Sequence, residues 1–319
     1  MKPLRLGTRG SRLAMTQSGW VADRLREAAP DLVVELVEIR TSGDVIKDVP
    51  LGPELGRSFF TKEIEDALLD GRVDVAVHSC KDLATAEHPG LVIAAMPERE
   101  DPRDVLVSPH GGLSDLPEGA SVGTSSMRRK GFLRLARPDL VLRDQRGNVP
   151  TRLRAVEEGV VDGVVLAAAG LARLGLLDRA TERLDPALML PAAAQGALAI
   201  QVRADDRETR AVAETLDHAM TRAAVEAERA CLHRLEAGCQ APVGVLGEMT
   251  GGVDGRTLRV RAALVTPDGL LRTEREGPPG AALDLGRTAA EDLLERLGLA
   301  SLRGVDWAGP PPRRERPDP

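Results

Sequence analysis

Val73-Asp74-Val75-Ala76-Val77-His78-Ser79-Cys80-Lys81-Asp82 opens as an apolar strand and closes on a cluster of polar side chains. Val73 to Val77 has the composition of a buried strand. The chain therefore delivers His78 to Asp82 at a strand's carboxyl end, where open α/β sheets hold ligands. Asp82 is the one acid immediately flanking that end. Two readings of it stand: a carboxylate neutralised by Lys81, or an ionised group facing a cationic cleft and able to stabilise positive charge or move a proton. His78 reads as a structural histidine.

Upstream, Leu4 to Arg9 predicts a short strand running into a turn. Ser11 is placed to cap a helix that carries Leu13, Ala14, Gln17, Val21 and Leu25. That plan offers free backbone N–H groups to an anion. A second strand is expected over Val33–Ile39, then a long Gly- and Pro-containing loop over Thr41–Arg57 and a helix over Ser58–Leu69. Leu91 to Ala95 reads as a further strand. Strands alternating with helices imply a largely parallel, doubly wound sheet.

Downstream, the charged run Glu98 to Asp104 reads as a hinge, and the plan repeats. Strands are expected at Val105–Ser108, Ser121–Gly123, Leu140–Arg143 and Val161–Ala168, with helices at Ser125–Ala136 and Thr151–Glu158. A strand at Ala197–Val202 that returned to the first lobe would make a double crossover, the topology of a two-lobed clamshell. From Thr221 the character changes to a long amphipathic helix running to Glu236, strands at Val243–Gly247, Thr257–Val265 and Leu270–Glu276, and a helix over Leu283–Leu297. This is a small α+β domain. The organisation expected is a first lobe from residues 1–98 and 196–217, a second from 102–192, a third domain over 220–305, and a disordered tail over 306–319.

Gly123-Thr124-Ser125-Ser126-Met127-Arg128-Arg129 places two arginines in the first turn of a helix, the end that favours negative charge. A bound anion would remove the conflict, held by backbone N–H groups, hydroxyls and guanidinium forks. Arg146-Gly147-Asn148 turns another strand end into a helix. Arg9 and Arg173 add further guanidiniums. No Walker motif and no GxGxxG is present, so the anion need not be a nucleotide. Many separate arginines suit a ligand with several carboxylates spread along its length.

Leu235-Glu236-Ala237-Gly238-Cys239-Gln240-Ala241-Pro242 sets a single thiol on a turn between helix and strand, with Gly238 closing the helix and Pro242 forbidding its continuation. A free cysteine is by default a small buried hydrophobe. Beside a cleft that needs filling, Cys239 is also a candidate anchor for a covalent group.

The net charge of -6 over 319 residues, with no Lys/Arg block interleaved with aromatics, argues against a nucleic-acid partner. Cys80, Cys231 and Cys239 form no CxxC pair, which argues against structural zinc and a disulfide framework and suits a reducing cytosol. The amino terminus lacks the apolar core of a signal peptide, and no apolar run is long enough to span a bilayer. A cytoplasmic protein without a membrane or metal role is expected.

The sequence resembles the hydroxymethylbilane synthase (porphobilinogen deaminase) family from Leu4 to about Leu297. The resemblance lies in Thr8-Arg9-Gly10-Ser11-Arg12-Leu13-Ala14, Thr41-Ser42-Gly43-Asp44, Phe60-Thr61-Lys62-Glu63-Ile64-Glu65, and His78 to Asp82. It continues in Arg99 to Asp104, Gly123 to Arg129, Arg146 to Val149, Gln195-Gly196-Ala197 and Gly238-Cys239-Gln240. It implies two lobes like periplasmic binding proteins plus a third domain. It also implies a dipyrromethane cofactor held by a thioether at Cys239, and the condensation of four porphobilinogens with loss of ammonia, assisted by Asp82. Cofactor contacts would come from Lys62, Ser79, Lys81, Asp82, Thr124, Ser125, Ser126, Arg128, Arg129, Arg146, Gly147 and Gln195. Substrate contacts would come from Arg9, Ser11, Gln17, Arg146, Arg152 and Arg173. A monomer without obligate protein partners is the family expectation. The chain departs from the usual pattern at Arg57-Ser58, Cys80, Leu83-Ala84 and Pro150. A non-enzymatic two-lobed anion-binding protein is the competing reading; it would not need Gly238-Cys239-Gln240 or a third domain.

Overall fold

The structure, a computed structural model, describes residues 3–41, 61–86, 88–237, 241–251, 257–305 and 307. The Thr41–Arg57 loop beyond its first residue, the Arg57-Ser58 departure, the expected helix start at Ser58–Phe60, Gly238-Cys239-Gln240, and residues 306 and 308–319 of the tail lie outside the described residues.

The first sheet takes β1 (Leu4–Thr8), β2 (Val34–Glu38), β3 (Val75–Ser79) and β4 (Leu91–Ala95). The second takes β5 (Asp104–Val107), β6 (Ser121–Gly123), β7 (Val141–Arg143), β8 (Gly163–Ala167) and β9 (Glu182–Arg183). β10 (Leu198–Arg203) then returns to the first. The strand orders are β2-β1-β3-β10-β4 and β7-β6-β8-β5-β9. In each sheet four strands run in one direction, while the strand arriving from the other lobe, β10 or β5, runs antiparallel to both neighbours. The return of the chain and its two crossings match the clamshell expectation. The sheets are mixed because a strand entering from the opposite lobe arrives from the other direction.

The helices α1 (Arg12–Ala28), α2 (Lys62–Leu69), α3 (Met127–Ala136), α4 (Val149–Glu157), α5 (Ala168–Arg173) and α6 (Arg207–Glu214) cover the sheets. Helical spacing explains which side is buried: Val21, Ala22 and Leu25 of α1 pack with Leu4, Leu6, Val75 and Ile200, a single apolar stripe on an apolar sheet face. In the second lobe Phe132 and Leu133 of α3 meet Leu106, Val122 and Val165. Pro150, where glycine is common in the family, sits in the first turn of α4, where proline's missing N–H costs nothing.

The third domain packs α7 (Ala219–Leu235) and α8 (Ala282–Leu297) on the antiparallel meander β11 (Val243–Thr250), β12 (Thr257–Thr266) and β13 (Gly269–Gly277). Gly286 makes the close helix crossing possible, since a Cβ there would stand 2.0 Å from the Ala227 carbonyl oxygen. The closure of α7 differs from expectation. Glu236 itself takes the left-handed conformation at φ 51° and donates its N–H to His233 and Leu232, two residues before Gly238.

The third domain touches both lobes. Leu246 and Ala263 join the core of the second lobe, and Val225 packs with Cys80, Leu83, Ile93 and Met96 of the first. Glu228 of α7 is fully buried and accepts from both terminal nitrogens of Arg99 (2.6 and 3.0 Å), from Gly247 N (2.7 Å) and from Ala194 N. One carboxylate therefore ties the third domain to both crossings between the lobes.

Candidate functional site

β3 ends at Ser79, and Cys80–Asp82 form a single 3-10 turn whose first N–H is held by the Ala197 carbonyl at 3.0 Å. This turn aims Asp82 into a cleft of about 480 Å³, counting its open mouth, lined also by Arg9, Ser11, Leu13, Gln17, Thr61, His78 and Ser79. Ser11 caps α1, its Oγ accepting from Ala14 N at 3.2 Å. Gln17, buried on the next turn, donates from Nε2 to Ser79 Oγ at 3.0 Å. Asp82 is half-buried and, among the described residues, has no hydrogen bond and no ion pair within 4 Å.

Lys81 does not neutralise Asp82 by direct contact; its Nζ points to Gln195 Oε1 at 3.4 Å. Burial pushes its pKa down to about 8; Asp82 pulls it upward, Arg129 pushes it further down, and Asp104 and Arg128 act more weakly in opposite directions. His78 is buried and bonded to Gln201 Oε1 at 3.1 Å. Burial pushes it down to about 4, so it is neutral near pH 7, as a structural histidine should be. The Cys80 thiol is 1% exposed and pushed up to about 11 by burial, which removes it from redox or nucleophilic chemistry.

In the second lobe, β6 ends at Gly123 and α3 begins after Ser126, whose Oγ accepts from Arg129 N at 3.4 Å. Thr124 is fully buried and used within this turn: its N–H bonds the Arg143 carbonyl at 2.8 Å and its hydroxyl accepts from Ser126 N at 3.3 Å. The buried Ser125 Oγ has no hydrogen-bond partner among the described residues, while Lys130, bonded to Asp144 at 2.7 Å, holds that carboxylate in its charged form. The conflict between two arginines and the helix dipole is met from inside the chain. Asp104 accepts from Arg128 NH1 at 2.6 Å and from Arg129 Nε and NH2 at 3.1 and 2.8 Å. All three residues are buried. A bound anion is therefore not required to explain the two arginines.

Arg152 on α4 and Arg173 at the end of α5 are half-buried. Each donates to a backbone carbonyl, Gly147 O at 3.0 Å and Gly196 O at 2.7 Å. Burial pushes both guanidiniums down to about 10, helped at Arg152 by Arg129 and opposed at Arg173 by Glu100. Among the described residues no carboxylate forms an ion pair with either. Arg146 and Gly147 are exposed, with Gly147 at φ 103° in a turn only glycine adopts readily. Lys62 is exposed at the start of α2, beside Thr61, which lines the cleft. Gln195 is buried between the lobes and donates to Pro102 O (2.8 Å) and Asp104 Oδ1 (2.9 Å). Its neighbour Gly196, at φ 89°, leaves no room for a Cβ, which would lie 2.4 Å from Glu100 O.

Asp104 and Glu228 are the polar residues that sequence reasoning passed over. Asp104 carried a signal, an acid opening the apolar strand Asp104-Val105-Leu106-Val107; Glu228 carried none, being one acid among many on a helix. Among the described residues no group of three His, Cys, Asp or Glu is placed to hold a metal, and no helix is long and apolar enough to cross a membrane.

Two α/β lobes joined by two crossings, and a third domain bonded to both of those crossings through Glu228, define a protein of clamshell architecture. A family model described as "Porphobilinogen deaminase, dipyromethane cofactor binding domain" matches residues 4–211, and one described as "Porphobilinogen deaminase, C-terminal domain" matches residues 222–295. The porphobilinogen deaminase of Desulforudis audaxviator is 51% identical over 293 residues, covering 91% of this chain and 94% of its own. Those of Syntrophobacter fumaroxidans and Syntrophomonas wolfei are 48% and 46% identical, covering 92% and 95% of this chain and 94% and 98% of theirs. Among solved structures, the periplasmic VFT2 domain of BvgS from Bordetella pertussis is 14% identical, with a TM-score of 0.40, covering 67% of this chain and 86% of that one. The chain belongs to the porphobilinogen deaminase family.

Proposed function

We propose that this chain condenses four porphobilinogens head to tail, with loss of ammonia, into a linear tetrapyrrole for tetrapyrrole biosynthesis, and that Asp82 is its catalytic carboxylate. The observation that carries the assignment of Asp82 is that, among the described residues, it has no ion-pair partner in a cleft lined also by Arg9, Ser11, Gln17 and Ser79. An acid left unpaired there keeps its lone pairs for a ligand. It can hold a proton beside the departing amine and, once ionised, stabilise positive charge developing on the substrate ring.

The donor set fits a dipyrromethane, which carries acetate and propionate groups on both rings. Arg152 and Arg173 are half-buried guanidiniums with no ion-paired carboxylate among the described residues, an arrangement that a polycarboxylate would complete. Lys81, Ser125, Ser126, Arg128, Arg129, Arg146, Gly147 and Gln195, with Thr124 shaping the turn and Lys62 at the rim, would hold the cofactor; Arg9, Ser11, Gln17, Arg146, Arg152 and Arg173 would hold substrate. A dipyrromethane bound through Cys239 would supply the free pyrrole carbon to which each unit is joined. The chain's contribution is to fix both partners so that bond formation is effectively intramolecular. Gln17 and Ser79 orient the region next to Asp82, and the buried walls of the cleft keep water from competing. A cytoplasmic monomer is the accompanying reading, supported by the cysteine usage and by family expectation.

The test is the intact mass of the purified protein beside that of Cys239→Ser, before and after incubation with porphobilinogen. The expected result is an excess equal to two linked pyrroles, absent in the serine variant. A wild-type thiol that stays bare after incubation would overturn the reading.

A further inference from the structure

Asp104 has no assigned part in this chemistry, yet it stands two hydrogen bonds from Lys81, the neighbour of Asp82, and every side chain bonded to it is a proposed cofactor ligand. It is fully buried at the first position of β5, where the chain has just crossed from the first lobe. One carboxylate accepts four hydrogen bonds from three side chains: Arg128 (2.6 Å), Arg129 (3.1 and 2.8 Å) and Gln195 (2.9 Å). Gln195 in turn accepts from Lys81, the neighbour of Asp82.

The geometry removes freedom that both arginines would otherwise have. Arg129 is held in a two-nitrogen fork on Asp104, with NH1 fixed to Val165 O at 2.8 Å. Arg128 shares its NH1 between Asp104 and Leu190 O, both at 2.6 Å. Guanidiniums that close to each other repel, and the single carboxylate between them both holds them together and cancels one of their two charges.

We propose that Asp104 is a positioning residue for the reaction: it sets Arg128 and Arg129 in a fixed pair, carrying one net charge, before the dipyrromethane arrives. Rigid, partly neutralised arginines bind carboxylates at defined places without gripping the lengthening chain with full double charge. This inference rests on the functional reading above, in which those arginines face the cofactor.

The test compares full-length Asp104→Asn and Asp104→Glu with wild type in three measurements. These are the thermal midpoint, the fraction of molecules that gain the two-pyrrole mass on incubation with porphobilinogen, and kcat with KM for the loaded fraction. For Asp104→Asn, loading falls to about one-tenth and kcat of the loaded molecules falls about tenfold or more, because ångström-scale displacement of ligand-holding groups is enough for such losses. KM changes by less than about threefold, since the arginines serve the resident group, not the incoming substrate. Asp104→Glu keeps the charge and a forked acceptor, so it loads to about half of wild type or better, with kcat about threefold lower.

A purely structural Asp104 would lower the thermal midpoint and leave loading and kcat of the folded molecules unchanged; that result overturns the inference. Should Asp104→Asn fail to fold, Asp104→Glu decides: a reduced kcat at unchanged KM supports positioning, and wild-type kcat overturns it. Failure of the functional reading looks different, because wild type itself would then gain no pyrrole mass.

Discussion

The two lobes share one topology and differ in what their strand ends carry. β1 and β6 occupy the same place in their sheets, and both run into a helix capped by a serine, Ser11 in one lobe and Ser126 in the other. β3 and β8 are likewise equivalent, but β3 ends in Ser79-Cys80-Lys81-Asp82 and β8 in Ala168-Ala169-Gly170. The acid belongs to the first lobe alone. The second lobe presents Arg128, Arg129 and Arg152, with Arg173 reaching back to the crossing at Gly196. A repeated backbone plan supplies a serine-capped helix start twice; in the proposed mechanism the side chains divide the work, with the acid in the first lobe and most of the arginines in the second.

If that division holds, Asp82→Asn should fold with an unchanged thermal midpoint and lose activity by on the order of a hundredfold or more, the scale of a lost acid–base group. Full turnover in a steady-state assay would place the chemistry elsewhere. The lobes should also differ in pH response. Lys81, with its pKa pushed to about 8, is cationic below that pH and neutral above it, whereas the arginines opposite keep their charge. Uptake of the pyrrole primer by apoprotein should therefore slow as pH rises through about 8, relative to Lys81→Arg, in which that alkaline loss should disappear. Identical pH profiles for the two proteins would remove Lys81 from ligand binding. The smallest effect tests the equivalence itself. Ser11→Ala and Ser126→Ala each remove one helix cap and should each cost about 1 kcal/mol of stability in denaturant titration. A large inequality would mean that the two helix starts are alike in outline only.

Much of the fold was legible. The strands, the serine caps and the return of β10 to the first sheet were expected from apolar runs and helical spacing, which are local properties. The direction of β10 and β5 was not, because local periodicity is the same for a parallel and an antiparallel strand. The end of α7 near Glu236 was expected, but with Gly238 as the residue that closes it. Glycine is the usual left-handed closer, but Glu236 takes that conformation, and Leu302 N, bonded to Leu235 O at 2.8 Å, holds the helix end from a distant part of the chain. At the site, Asp82 was legible because it follows an apolar strand directly. Asp104, the acid bonded to both Arg128 and Arg129, was not legible as their partner, because it lies on another strand.

By itself the sequence determined the order of elements, the capped helix starts, the cationic character of the cleft and, through the spacing of its motifs, the family. These depend on residues within a few positions of one another, where backbone geometry dictates neighbours. Only the tertiary structure decided which charges are spent inside the protein and which remain for a ligand. Asp104 meets Arg128 across 24 positions and Glu228 meets Arg99 across 129, while Arg152 and Arg173 find no carboxylate among the described residues. Burial makes an unpaired charge costly, so long-range packing, not local propensity, selects the partners.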